Sequence, residues 1–161
     1  MTNATQLPRA IIIDLDGTLT NYDHRAHLLV RPNRDMIAFF DLMEGDTVNE
    51  WCREMIDEAT RTGVTVILLT GRPDSYRPHT ERWLAKHNIP YDILLMRNAN
   101  DWRPGAIVKA EIFHAEIASG YDIVVAVDDN PRIFKMWVKL GIRCLYCGTA
   151  EDMANDTDTT L

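Results

Sequence analysis

Two aspartates one residue apart, Asp14 and Asp16, close the apolar run in "RAIIIDLDGTLT", and a second pair, Asp128 and Asp129, closes the run in "YDIVVAVDDNP". A third run, "VTVILL", ends in Thr70, Gly71 and Arg72. Carboxylates at strand ends can be turn chemistry, with Gly17 at the turn. They can also be the working parts of phosphate-ester hydrolysis. That reaction needs a nucleophile in line with phosphorus, a group to protonate the leaving oxygen, and a cation to offset repulsion between two anions. Asp14 and Asp16 can supply the first two. Magnesium favours carboxylate, carbonyl and water oxygens, and Asp14 with Asp128 offers two carboxylates to hold it. Thr70 can hydrogen-bond a phosphoryl oxygen, and Lys109 or an arginine can neutralise another.

These residues act together only if the fold brings the strand ends to one edge. Arg9 to Leu15, "VTVILLTGR", Ile93 to Met96, "YDIVVAVDDNP" and "RCLYC" read as buried strands. Between them the spacing predicts helices over Asp46 to Thr62, Thr80 to His87, Pro104 to Ser119, and around Ile133, Met136, Trp137 and Leu140. The first carries Val48, Trp51, Cys52, Met55, Ile56 and Ala59 on one apolar face, with Asp46 or Thr47 as its cap and Gly63 just past its end. Apolar strands alternating with amphipathic helices predict an α/β fold: a doubly wound, Rossmann-like, mostly parallel sheet with helices on both faces. In such sheets ligands bind beyond the carboxyl ends of the strands. Asp14/Asp16, Thr70-Gly71-Arg72 and Asp128/Asp129 therefore converge.

The 161 residues fit one domain, 1–161. Residues 21–46 form a small cap insert with a helix around Asp35 to Met43, and the ends, Met1 to Leu7 and Ala150 to Leu161, are expected to be mobile. No apolar run is long enough for a membrane span. The first residues lack a basic start and an apolar core, so neither a signal peptide nor membrane association is expected, and a cytoplasmic location is. Cys52, Cys144 and Cys147 suit a reducing compartment, and the Cys144-x-x-Cys147 pair reads as strand packing rather than a metal site. A net charge of −7 argues against a general nucleic-acid coat, although 13 of the 17 basic residues are arginine, the better bidentate phosphate clamp.

Together, "DLDGT", "LTGR", Lys109 and "VDD" resemble the four motifs of the haloacid dehalogenase superfamily of phosphotransferases. With "HRAH", "FFDLM", "DWRPGAIVKAEIF" and "VDDNPRIFKMW", the chain from about Ala10 to Cys147 resembles the 3′-phosphatase domain of bacteriophage-type polynucleotide kinase/phosphatases. The resemblance implies a magnesium-dependent phosphomonoesterase acting on 3′-phosphate ends of DNA or RNA. By it, Asp14 would form an aspartyl-phosphate, while Asp16 would protonate the leaving oxygen and then activate water. Thr70 and Lys109 would orient and neutralise the phosphoryl group, and Thr18, Arg25, Gly71 and Arg72 would contact the substrate. Asp14, the Asp16 backbone carbonyl, Asp128 and Asp129 would hold Mg2+, with Asp129 either a ligand or local support. No G-x-x-x-x-G-K-[ST] loop occurs, so a separate kinase or ligase would be the expected partner. One departure stands out: Gly105 lies where related domains often carry an acidic residue, four positions before the lysine.

Two other functions compete. A phosphatase of nucleotides or sugar phosphates would use the same motifs. A phospho-receiver module also has an acidic pair and a lysine, but its lysine comes last, whereas Lys109 precedes Asp128.

Overall fold

The computed structural model describes residues 6–156. In chain order the strands and helices are β1 (Arg9–Ile13), β2 (Thr20–Asn21), α1 (Met36–Asp41), β3 (Thr47–Val48), α2 (Glu50–Arg61), β4 (Thr65–Pro73), α3 (Arg77–Lys86), β5 (Ile93–Arg97), α4 (Gly105–Ile112), β6 (Asp122–Asp128), α5 (Pro131–Lys139), β7 (Cys144–Tyr146) and α6 (Ala150–Asn155). Five strands form one parallel sheet in the order β5-β4-β1-β6-β7. From β1 the chain builds outward through β4 and β5, then returns to the other side of β1 for β6 and β7. That reversal opens a crevice at the carboxyl end of β1, the place where open parallel sheets bind ligands.

The two-residue alternation of a strand accounts for the unbroken apolar runs, because each face has its own core. Ile11, Ile13, Val66 and Leu68 pack with Cys52 and Ile56 of α2 and with Trp83 and Leu84 of α3. Ala10, Ile12, Ile67 and Leu69 point the other way, onto Phe113, Ile133 and Trp137.

Several predicted boundaries move. The helix expected from Asp46 starts at Glu50, and neither Asp46 nor Thr47 caps it: Asn49 is the N-cap residue, without a side-chain cap bond. Thr47 and Val48 are taken instead by antiparallel pairing with Asn21 and Thr20. Gly63, at φ +72, does follow the helix end, where the left-handed conformation favours glycine. The helix expected through Ser119 is α-helical to Ile112 and continues as a wider π turn over Phe113–Ile117.

The β2–β3 pair ties off the insert at its base. Above it lie a 3-10 turn over Asp23–Leu29 and α1, whose N-cap Asp35 accepts from the Ala38 backbone N–H. Phe39, Phe40 and Met43 make a third small core with Tyr22 and Tyr76. The expected mobile tail is in part a helix. Thr149 and Asp152 form a reciprocal capping box that starts α6, while residues 1–5 and 157–161 lie outside the described residues. Among the described residues no helix is long and apolar enough to cross a membrane.

Candidate active site

β1 and β6 deliver Asp14 and Asp128 side by side, and α4 points Lys109 between them. Lys109 Nζ donates to Asp14 Oδ1 at 2.6 Å and to Asp128 Oδ2 at 2.7 Å. All three side chains are buried. Burial alone would lower the proton affinity of Lys109, but the charges of Asp128 and Asp14 outweigh it and hold the ammonium above its ordinary value. The Asp128 carboxylate also accepts from the Asn130 backbone N–H at 3.0 Å. Asn130 in turn caps α5 by accepting from Arg132 and Ile133, so the cap reading of Asn130 and the strand-end placement of Asp128 hold together.

Asp129 completes an acidic cluster: carboxylate oxygens of Asp14, Asp128 and Asp129 lie within 4.8 Å of one another. The turn at Gly17, with φ +87, makes room for it, since a Cβ there would overlap Asp129 Oδ2. Burial, above all, pushes Asp14 up to about 7, with Lys109 pulling down and Asp128 pushing up. Burial, then the charges of Asp14 and Asp128, pushes Asp129 up to about 8.

The second aspartate of the first motif has opposite surroundings. Asp16 Oδ1 accepts from Arg25 Nη2 at 2.5 Å and from Arg72 Nη2 at 2.7 Å, and Asp16 Oδ2 accepts from Arg72 Nε at 3.0 Å. Burial would raise its pKa, but Arg72 and then Arg25 hold it below the ordinary range.

Both arginines are wholly buried and turned to carboxylates, where the resemblance implied contacts with substrate. A second carboxylate they share is Asp46, a residue the sequence offered only as a helix cap; Arg25 Nη1 also donates to the Phe39 carbonyl at 2.9 Å. Asp46 accepts from Arg25 Nε at 2.7 Å, Arg25 Nη2 at 2.5 Å and Arg72 Nη2 at 3.2 Å. His24 Nε2 lies 3.0 Å from its Oδ1, and the Trp83 indole donates to its backbone carbonyl at 2.9 Å. Two buried cations thus meet two carboxylates, and the Phe39 ring stacks 3.9 Å from the Arg25 guanidinium. The cap insert contributes Arg25, Phe39 and Asp46, so its small core fixes where Asp16 points.

The remaining predicted residues sit around this centre. Thr70 is buried at the end of the sheet, its hydroxyl accepting from the Arg72 backbone N–H at 3.1 Å. Gly71 follows it, with Arg97 Nη2 3.7 Å from where a Cβ would be. Thr18 is buried; its hydroxyl is 3.5 Å from Cys147 Sγ, and its carbonyl accepts from Asn49 Nδ2. Gly105, at the departure from the expected pattern, begins α4, and a Cβ there would lie 3.5 Å from Arg97 Nη2. Arg97 Nε is buried with no hydrogen-bond partner among the described residues. Trp102, on the neighbouring loop, is 73% exposed.

The opposed surroundings of these carboxylates fix the sign of the pH dependence. Asp14 and Asp129 bind protons more tightly folded than unfolded. Without a divalent cation they support folding below their ordinary value of 3.8 and withdraw that support as pH rises toward 7 and 8. Asp16 does the reverse, supporting folding above 3.8 and losing that support as pH falls through its depressed folded value. The metal-free melting temperature is therefore expected to fall between pH 5 and 8, and magnesium to flatten that decline. A melting series in chelator that stays level or rises over this range would contradict the site's electrostatics.

The family model described as "Polynucleotide kinase PNKP phosphatase domain", of the haloacid dehalogenase (HAD) class, matches residues 8–151. The chain belongs to this family. As a member it is a HAD-type phosphatase domain, a phosphoric monoester hydrolase. The solved "Structure of the Pnkp1/Rnl/Hen1 RNA repair complex" contains a chain 37% identical to the phosphatase domain described here, with a TM-score of 0.78. The match covers 91% of this chain and 44% of that one. A "Putative bifunctional polynucleotide kinase/RNA ligase" of Autographa californica nuclear polyhedrosis virus is 24% identical over 146 residues, 88% of this chain and 19% of the viral protein. The chain thus spans less than half the length of these relatives. The class C acid phosphatase from Bacillus anthracis, 12% identical with a TM-score of 0.67 over 91% of this chain and 69% of that one, shares the fold.

Proposed function

We propose that the protein is a magnesium-dependent phosphomonoesterase that removes 3′-phosphates from nucleic-acid ends through an aspartyl-phosphate on Asp14. The observation that carries this reading is the pairing at the end of β1. Asp14 is held by a lysine beside an acidic cluster, while Asp16, two residues on, is held by two arginines.

In the proposed reaction Asp14 attacks phosphorus and the bond to the 3′ oxygen breaks, with Asp16 giving that oxygen a proton. Asp16 then takes a proton from water, which attacks the same phosphorus and returns Asp14 with release of phosphate. Asp16 is ionised in the free protein. The negative charge of a bound phosphate raises its proton affinity, which lets it act as the acid. Arg25, Arg72 and Asp46 keep its carboxyl aimed at the leaving oxygen. Lys109 steadies Asp14 and offsets phosphoryl charge, and Thr18, Thr70 and Gly71 line the place where the phosphoryl oxygens sit.

The donor set fits magnesium: three converging carboxylates, all oxygen, with an ammonium too few in charge to balance them. Asp14, Asp128, Asp129 and the Asp16 carbonyl would hold the ion, which supplies positive charge against the phosphoryl oxygens. The exposed ring of Trp102, which lines one hollow with Arg97, Gly71 and Gly105, supports a polymer end as substrate, since a base can stack on it. A cytoplasmic site of action, where the free thiols of Cys52, Cys144 and Cys147 are at home, and a separate kinase or ligase partner belong to the same reading.

The test is phosphate release from one oligonucleotide phosphorylated at its 3′ end and one phosphorylated at its 5′ end, each with magnesium and with chelator. Release is expected from the 3′ end alone, at a rate at least about 100-fold above the chelated sample. Faster release from mononucleotides, or equal release from both ends, would sink the substrate assignment.

A further inference from the structure

Helix α5 starts at the acidic cluster and runs away from it with Arg132, Lys135 and Lys139 at positions i, i+3 and i+7. This spacing sets the three cations along one helix face. The chain carries a net charge of −7, so such a stripe is not an average feature of its surface. Arg132 lines the same cavity as Asp129, a space of about 570 Å3. Lys135 and Lys139 line a second hollow with Phe134 and Val138. From Arg132 to Lys139 the helix rises about 10 Å, enough to face more than one phosphate of an extended strand.

Helix α6 lies across the near end of this stripe. Asp156, just past its last residue, accepts from Arg132 Nε at 3.1 Å and from Lys135 Nζ at 3.0 Å, and its side chain is only 5% exposed. None of the residues of α6 is buried. Polar ties among the described residues include the Thr149–Asp152 capping box, a Tyr146 hydroxyl that donates to the Thr149 carbonyl at 3.0 Å, and the two ion pairs. Asp152 and Asp156 also line the cavity that reaches Asp129, so they stand beside the path of an anionic substrate. Arg132 is 60% exposed and Lys135 29%, against 5% for Asp156, so an incoming anion reaches these ion pairs from the side of the cations.

We propose that the α5 stripe is a track for the phosphodiester backbone of a single-stranded substrate, and that Asp156 holds Arg132 and Lys135 in its absence. The α6 segment is then an acidic strap, which a strand entering the site displaces by substituting phosphate for carboxylate. This rests on the 3′-end reading. It adds that residues well away from the reacting phosphate favour a strand over a mononucleotide.

The experiment measures, across a salt series, the affinity for a fluorescent single-stranded oligonucleotide ending in a 3′-hydroxyl, which the protein does not hydrolyse. Asp156→Asn is expected to tighten binding about three- to tenfold and to leave turnover of an aryl phosphate unchanged. The double variant Arg132→Ala/Lys135→Ala is expected to weaken binding about tenfold. It should also reduce the slope of log affinity against log salt by about 1.4, the share of two phosphate contacts on a single strand. Affinities and slopes of both variants matching the parent, in a protein that dephosphorylates a 3′-phosphorylated oligonucleotide, would overturn the track and leave the 3′-end reading intact. A parent that turns over aryl phosphate but not that oligonucleotide would overturn both.

Discussion

Lys109→Met is expected to give a protein whose folding leans on a divalent cation. The lysine ammonium is the one cation hydrogen-bonded to both Asp14 and Asp128 among the described residues, and all three side chains are buried. Methionine keeps much of the stem and removes the charge, leaving three carboxylates within 4.8 Å of one another and nothing positive between them. Removing one partner of a buried ion pair typically costs about 3–5 kcal/mol. At this chain length that corresponds to a fall in melting temperature of roughly 10 °C. Magnesium can replace the missing charge. The melting temperature of the variant should therefore rise with magnesium by several degrees more than that of the parent, while turnover stays down by at least about 100-fold. Equal melting temperatures for the two proteins in chelator would show that the lysine does not balance the cluster.

Asp46→Ala should be almost as damaging, and for a related reason. The substitution leaves Arg25 and Arg72, both wholly buried, with Asp16 as the one carboxylate they share among the described residues. The expected loss is again about 3–5 kcal/mol, with turnover reduced about 100-fold as Asp16 loses its fixed orientation. A pH profile separates positioning from simple instability. Without the Asp46 charge the arginines act on Asp16 undiluted, so its proton affinity falls further. The pH above which turnover declines for want of a protonated acid must then move down. Asp46→Asn, which keeps the size and some of the hydrogen bonds, should recover stability better than it recovers this profile. A variant that is unstable but keeps the parent profile would reduce Asp46 to a packing role.

The contrast between Asp14 and Asp46 shows which parts of the site are legible in a sequence. Asp14, Thr70 and Asp128 each end an unbroken apolar run, and a run buried on both faces can hardly be anything other than an interior strand of a parallel sheet. Their convergence follows from strand direction alone. Asp46 stands in "EGDTVNEW", where local chemistry favours a helix start. Its actual role depends on arginines 21 and 26 positions away, a separation that no local pattern carries. The same holds for the burial of Arg25 and Arg72: the motifs mark them, but only the packing of Phe39 and Met43 shows that they face carboxylates. The short helix α6 is not predicted by the polar composition of its stretch, although Thr149 and Asp152 are spaced as in a capping box and offer a local signal for its start. At Gly105 the departure from the expected pattern was visible in the sequence. Its neighbour Arg97, whose Nε has no hydrogen-bond partner among the described residues, was not, because the two lie on different elements.

The most direct test is a single-turnover reaction with excess protein, magnesium and an oligonucleotide carrying a radiolabelled 3′-phosphate, run beside Asp14→Asn. The parent is expected to release the labelled phosphate completely. The variant is expected to release it at a rate lower by about four orders of magnitude or more, while the same oligonucleotide still binds, because the amide keeps the shape of the site and lacks the nucleophile. Release by Asp14→Asn at a rate near that of the parent would contradict the central role given to Asp14. Label that stays on the oligonucleotide while the parent hydrolyses an aryl phosphate would contradict the 3′ end as its substrate.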